Sequence, residues 1–69
     1  MKRASVFLAD GFEEIEGLTV VDILRRAGVQ VDTVSVTGDR TIHGSHQIDV
    51  QADFLFEEMD FTQTDMLVL

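Results

Sequence analysis

The period of the apolar positions changes along the chain, and each change marks an element. The run Ala4-Ser5-Val6-Phe7-Leu8-Ala9 is short and apolar and is followed by Asp10-Gly11, which predicts a buried strand ending in a turn. From Phe12 to Ala27 there is no proline, and Gly28 stands where a helix C-cap belongs, so a helix is expected there. At about 100° per residue, Phe12, Val20, Ile23, Leu24 and Ala27 share one broad arc of that helix. Glu14, Asp22, Arg25 and Arg26 gather opposite. The segment Val29 to Val36 alternates apolar with polar and is rich in β-branched residues, so it reads as a second strand. Strand, helix and strand in that order imply a parallel βαβ unit.

Beyond the turn Thr37-Gly38-Asp39-Arg40, the stretch to Val50 reads as two short strands around His43-Gly44-Ser45-His46, a small hairpin off the main sheet. Ala52 to Thr62 carries Phe54, Leu55, Phe56, Met59 and Phe61 with acids between, consistent with a short helix or an irregular packed connection. Asp65-Met66-Leu67-Val68-Leu69 has the pattern of a third buried parallel strand. The whole is the amino-terminal portion of an α/β doubly wound sheet: β-α-β, a small hairpin, then β. In such sheets the residues beyond the strands' carboxyl ends build the site. Residues 1–69 are accordingly expected to be the front of one larger domain, truncated or cleaved.

One residue conflicts with the helix pattern. Glu16 falls inside the apolar arc, nearly a turn deeper than Glu13, whose first-turn position suits a carboxylate against the helix dipole. A carboxylate on such a face either reaches water along its stem or pairs with an arginine, or it has a chemical role. If it is desolvated, its pKa rises and it stays protonated near neutrality, able to donate a hydrogen bond.

Composition narrows the functional classes. The chain has 69 residues, 45% of them hydrophobic, enough for one small core. It has no cysteine, which excludes a disulfide staple and a cysteine nucleophile within these residues. A chain of this size needs a partner or more chain to be secure. Against 13 acids stand 5 Lys and Arg, for a net charge of −8, so nucleic acid and anionic membranes are poor partners. Met1-Lys2-Arg3 before an apolar run has the charge order of a secretory leader, but the run is too short for one, and no stretch reaches membrane-span length. A cytoplasmic location is the expectation.

Several motifs can be weighed directly. Asp10-Gly11-Phe12-Glu13-Glu14 offers one glycine and three acids where a dinucleotide site needs several glycines, and the acids would repel phosphate. A phosphate loop ending in Lys-Ser/Thr is absent. The acidic cluster has the look of a receiver-domain metal pocket, but the phospho-acceptor aspartate would fall at or beyond Leu69. His43 and His46 with Asp49 nearby are more simply exposed polar residues than metal ligands, so no metal and no cofactor are expected. Ser45 beside His46 is not a triad, because the fold and not adjacency positions catalytic partners. Arg25 and Arg26 read as a solvated helix face with Asp22 available to either, or as an interface pair.

Together, Lys2-Arg3-Ala4, Gly11-Phe12-Glu13-Glu14-Ile15-Glu16, Val21-Asp22-Ile23-Leu24-Arg25-Arg26-Ala27-Gly28 and Gly44-Ser45-His46 before Ala52-Asp53 carry a resemblance. The chain resembles the amino-terminal part of the ThiJ/PfpI superfamily, nearest the branch of the parkinsonism-associated protein deglycase and its bacterial relatives. The resemblance implies a flavodoxin-like fold, usually a homodimer, with a reactive cysteine on a strand-to-helix elbow. It implies that Glu16 is protonated and hydrogen-bonds that cysteine's thiolate, lowering its pKa. It also implies that Arg26 lies at the dimer interface and that the loop of Gly44 and His46 borders the active site, His46 standing where some relatives carry arginine. The chain lacks the cysteine, the histidine after it and the oxyanion-binding glycine pair, so these 69 residues alone are expected to be inert. The implied activity is that of a cysteine-dependent glyoxalase or deglycase, of hydrolase type, acting on small carbonyl compounds or glycated groups. The alternatives are a redox-responsive chaperone or stress-response protein, and a non-catalytic dimerisation module.

Overall fold

The computed structural model describes residues 2–69; Met1, which opens the leader-like Met1-Lys2-Arg3 sequence, lies outside them. Strand β1, Arg3–Leu8, forms where the apolar run predicts and lies between two parallel neighbours. On one side it pairs with β2, Gln30–Ser35, in the register Ala4 with Val31 and Leu8 with Ser35. On the other side it pairs with a short strand at Met66–Val68, Ser5 facing Leu67. Parallel neighbours need a long crossover, and helix α1, Glu14–Arg26, supplies the first one.

α1 begins two residues later than periodicity suggests. Glu13 caps it in an extended conformation, and Phe12 N–H instead closes a turn onto the Ala9 carbonyl. Its other end follows the expectation closely. Gly28 takes φ +86°, its N–H donates to the Arg25 carbonyl, and Val29 N–H reaches back to Leu24. This paired closure needs a left-handed residue, which glycine adopts without a Cβ penalty.

The helix's buried side differs from the arc read off the sequence. Glu14 and Val21 are buried, and Val20 and Leu24 pack partly buried against the core, whereas Ile23 is 57% exposed and Ile15 76%. Glu16 is exposed as well. The inward stripe runs through 14, 17, 21 and 24, and its first two members are a carboxylate and a glycine. Neither adds hydrophobic weight, so the apolar arithmetic is pulled towards Ile23 and Glu16.

The core lies between α1 and one face of the sheet, where Ala4, Val6, Leu8 and Val31 meet Val21. A hairpin of β3, Thr41–His43, and β4, Asp49–Gln51, closes one flank by sending Ile42 into the core with no exposure at all. The connection after Ala52 opens with a strand that the sequence did not show and continues in short helical turns. Phe54–Leu55 forms strand β5, which adds to β2 in parallel and makes the sheet order β5-β2-β1-β6, with Met66–Val68 as β6. Two single-turn 3-10 helices follow, Phe56–Glu58 and Phe61–Gln63. They bring Phe56 and Phe61 against Phe7 on the sheet face opposite α1, with ring centroids 5.6–6.1 Å apart. β6 is parallel as expected but is not buried: Met66 and Leu67 are at least half exposed.

Asp53 ties these pieces together. Its carboxylate accepts the Thr33 amide and the Arg25 guanidinium, while its own N–H donates to Thr33 Oγ1. Arg25 also donates to the Val31 carbonyl, so its role is to tie the helix end to the sheet.

Candidate functional site

Helix α1 starts beside the carboxyl end of β1, with one acid at its N-cap, Glu13, and two in its first turn, Glu14 and Glu16. Glu14, the first helical residue, points into the protein towards the β3–β4 loop. Its side chain is only 5% exposed. Burial alone would disfavour the charged form, yet both oxygens are fully engaged. Oε2 accepts the His46 amide at 2.7 Å and the Ile48 amide at 3.4 Å. Oε1 accepts the Ser45 hydroxyl at 3.3 Å and faces His46 Nδ1 at 2.9 Å. Desolvation raises the Glu14 pKa, but the His46 ring and the amides of Glu14, His46 and Ile48 outweigh it and hold the value at about 2.

Gly44 makes this approach possible. A Cβ on Gly44 would stand 2.7 Å from Glu14 Cγ and closer still to its carboxyl group. Further bonds join the loop to the segment before the helix: Gly11 N–H to the His43 carbonyl, Ser45 N–H to the Phe12 carbonyl, and His43 N–H to Asp10 Oδ1. Within the loop Gln47 takes φ 65°, a left-handed turn that is uncommon for a side chain of its size.

His46 lies outside this pocket but against it. Its Nδ1 is 2.9 Å from Glu14, 3.5 Å from Glu13 and 3.0 Å from Ser45 Oγ. The hydrogen bond to Glu14, followed by the fields of Glu13 and Glu14, raises its pKa above the ordinary histidine value. Glu13, Glu14 and His46 place ligand atoms within 4.8 Å of one another, but each Glu14 oxygen already accepts two hydrogen bonds. Hydrogen bonding accounts for the cluster. His43 belongs to a separate pair, its Nδ1 2.7 Å from Asp49 Oδ1 across the hairpin, and that bond is the first cause of its raised pKa.

Glu16 occupies different ground. With Glu13 it borders a cleft of ≈ 290 Å³ whose apolar wall includes Leu8, Phe12, Gly17 and Val68, at the carboxyl ends of β1 and β6. Arg26 is remote from both sites. It is bound to Asp22 one turn back, at 3.1 Å to each oxygen, and is 78% exposed. At 1.5 Å per residue the helix separates it from Glu14 by about 18 Å. Of the residues marked by sequence, then, Gly44 and His46 meet at Glu14, Glu16 faces the neighbouring cleft, and Arg26 stands apart. Glu14 itself escaped the sequence reading, because it sits on the polar side of the apolar arc and its partners lie more than 30 residues away.

The model for the DJ-1/PfpI family matches residues 2–69. The chain belongs to the DJ-1/PfpI family. Among curated DJ-1 relatives, protein dj-1beta of Drosophila melanogaster is 32% identical over 68 residues, covering 99% of this chain and 36% of its own length. The Parkinson disease protein 7 homolog of Danio rerio is 37% identical over 57 residues, covering 83% of this chain and 30% of its own. Among solved structures, a cysteine-to-alanine mutant of a DJ-1 superfamily protein from Salmonella typhimurium superposes with a TM-score of 0.93 at 38% identity, covering the whole chain and 37% of the other. Toxoplasma gondii DJ-1 in an oxidised form gives 0.92 at 31% identity, covering 97% of this chain and 36% of the other. The chain thus spans about a third of these DJ-1 proteins, and its parallel sheet and helix are those of their flavodoxin-like fold. Among the described residues no helix is long and apolar enough to cross a membrane.

Proposed function

We propose that this protein acts as a cysteine-dependent enzyme of glyoxalase or deglycase type, on small carbonyl compounds or glycated groups. In this reading the 69 residues supply the acid that tunes the thiol, and the cysteine comes from outside them. The observation that carries the reading is the position of Glu16. It borders an apolar cleft at the carboxyl ends of β1 and β6, the side on which open α/β sheets bind their ligands. In this reading the Glu16 carboxyl gives a hydrogen bond to a thiolate, which stabilises the charged sulfur and lowers its pKa. The loop of Gly44 and His46 approaches that cleft through Glu13, which borders it and lies 3.5 Å from His46 Nδ1. In the complete native protein, Glu16→Leu should raise the cysteine pKa and depress methylglyoxal turnover; an unchanged thiol titration refutes the assignment.

The same reading makes the protein a homodimer in the cytoplasm. Its support is a shallow apolar surface formed by Ile15, Leu18 and Ile48 on α1 and the hairpin loop, where Ile15 is 76% and Ile48 51% exposed. Arg26 continues the helix beyond that surface and belongs to its charged edge. Ile15→Asp should shift sedimentation of the native protein to the monomer. A second reading, a redox-responsive chaperone with little turnover, draws support from the Toxoplasma gondii relative, whose structure is of an oxidised form. Protection of an aggregating client after mild peroxide, with no methylglyoxal turnover, would select it.

A further inference from the structure

We propose that Glu14 is a positioning residue: its buried carboxylate clasps residues 44–48 onto the start of helix α1, and His46 is the proton-operated part of the clasp. That the loop borders a catalytic site rests on the function proposed above; the clasp itself stands on the geometry.

Several bonds hold the loop without Glu14. Gly11 N–H and Ser45 N–H are bound to main-chain carbonyls, and His43 N–H is bound to Asp10. The two carbonyl acceptors do not titrate, and none of these bonds involves His46. Glu14 adds further bonds, accepting from the amides of His46 and Ile48 and from the hydroxyl of Ser45. It can do so only because Gly44 offers no side chain. A carboxylate this buried and this fully engaged has no capacity left for substrate, so what it does is hold the loop.

One of its partners titrates. The charged groups facing His46 are Glu14 and Glu13, both from the start of the helix, and its own loop adds the polar Ser45. As imidazolium, His46 gives Glu14 both a hydrogen bond and an opposite charge; as neutral imidazole it loses the charge, and it keeps the hydrogen bond only in the tautomer with the proton on Nδ1. The two shifts have opposite signs. The His46 pKa is raised in the folded protein, so its contribution is complete below 6.5 and is lost as pH rises through the raised value. Glu14 is lowered from 4.5 to about 2, so its contribution is complete above 4.5 and is lost as pH falls towards 2. The clasp is therefore strongest between 4.5 and 6.5. Above that window it relaxes without opening, because the two amide bonds remain.

The test follows the His46 and Ile48 amides of the complete native protein by NMR from pH 5 to 9. Both should titrate together with the His46 ring, at a midpoint above 6.5. Their exchange protection should fall about five- to tenfold across it, as the charge on His46 is lost from the clasp. His46→Arg supplies a permanent charge, so it should keep the loop protected and abolish the titration. His46→Gln should abolish the titration with the loop loosened at every pH. Amides that stay still while the ring titrates, or a titration that persists in His46→Arg, overturn the proposal. Turnover assayed in parallel separates the two readings. A pH-independent clasp in an active enzyme defeats this inference alone, and an intact clasp in an inactive protein defeats only the enzymatic one.

Discussion

Replacing Gly44 with alanine tests how Glu14 is held, and the sign of the result depends on two opposed terms. Gly44 is not among the glycines with positive φ, so alanine meets no backbone penalty there. With that penalty absent, Gly→Ala stabilises by about 0.4–1 kcal/mol through the lost freedom of the unfolded chain. Against this stands the contact: the new Cβ would lie 2.7 Å from Glu14 Cγ, where carbon atoms prefer about 3.5–4.0 Å. Either the side chain or the loop has to move by about 1 Å, and forced repacking of that kind costs about 1–3 kcal/mol. The clash wins, and Gly44→Ala should be net destabilising. The loss matters, because folded proteins have only about 0.05–0.15 kcal/mol of stability per residue. Urea unfolding with an unchanged slope is the assay. The decisive arm repeats Gly44→Ala in a Glu14→Ala background, where the clashing atoms are gone and only the entropic gain remains. There the same substitution should be neutral or stabilising by about 0.4–1 kcal/mol. An equal loss in both backgrounds refutes the reasoning.

Three further expectations concern the frame around the site. Ile42→Ala empties a position with no solvent exposure and should cost about 2–5 kcal/mol, read from the urea midpoint. The His43 ring should titrate above 6.5 because of Asp49, and Asp49→Asn should bring it back down. The stabilisation from this pair is full below 6.5 and fades as pH rises through the raised value; added salt should weaken it, since both side chains are more than half exposed. Phe61→Ala removes one ring from each of two aromatic pairs and should cost about 1–3 kcal/mol beyond the area lost. Phe54→Leu, a conservative change at a ring in none of these pairs, should cost far less.

The strands β1 and β2, the intervening helix and the hairpin were legible because each rests on a local signal: an apolar run, a C-terminal glycine, β-branched alternation. β5 was not legible. A strand of two residues has no period of its own and exists because β2 offers it an open edge. The helix's buried face failed for a related reason. Burial of Glu14 is repaid by donors from a loop 31–34 residues away, and a hydrophobicity pattern records only the cost of burying a carboxylate. Glu16 shows the converse: its place on an apolar arc did not make it buried, because only part of that arc, Phe12, Val20 and Leu24, packs against the core. Gly44 and His46, marked by family resemblance, do come together, but the group that joins them is Glu14.

The position of β1 in the sheet also fixes an order of events in folding. It is the first strand along the chain, yet its two partners are the nearest and the farthest of the sheet's other strands in sequence. β2 becomes available after a single helix, whereas Asp65, which accepts the Arg3 amide and leads into β6, is 62 residues away. Loop-closure entropy rises only slowly with length, so the final sheet costs little more than the first closure. In time the two differ more. Non-local pairing slows folding, and the β1–β6 ladder has the longest reach in the sheet. During synthesis, β1 and β2 can pair around α1 long before β6 exists, leaving one edge of β1 unpaired until residue 66 emerges. With no proline among the 69 residues, a slow refolding phase in this segment would not come from prolyl isomerisation, and the late closure of that edge becomes the step to examine.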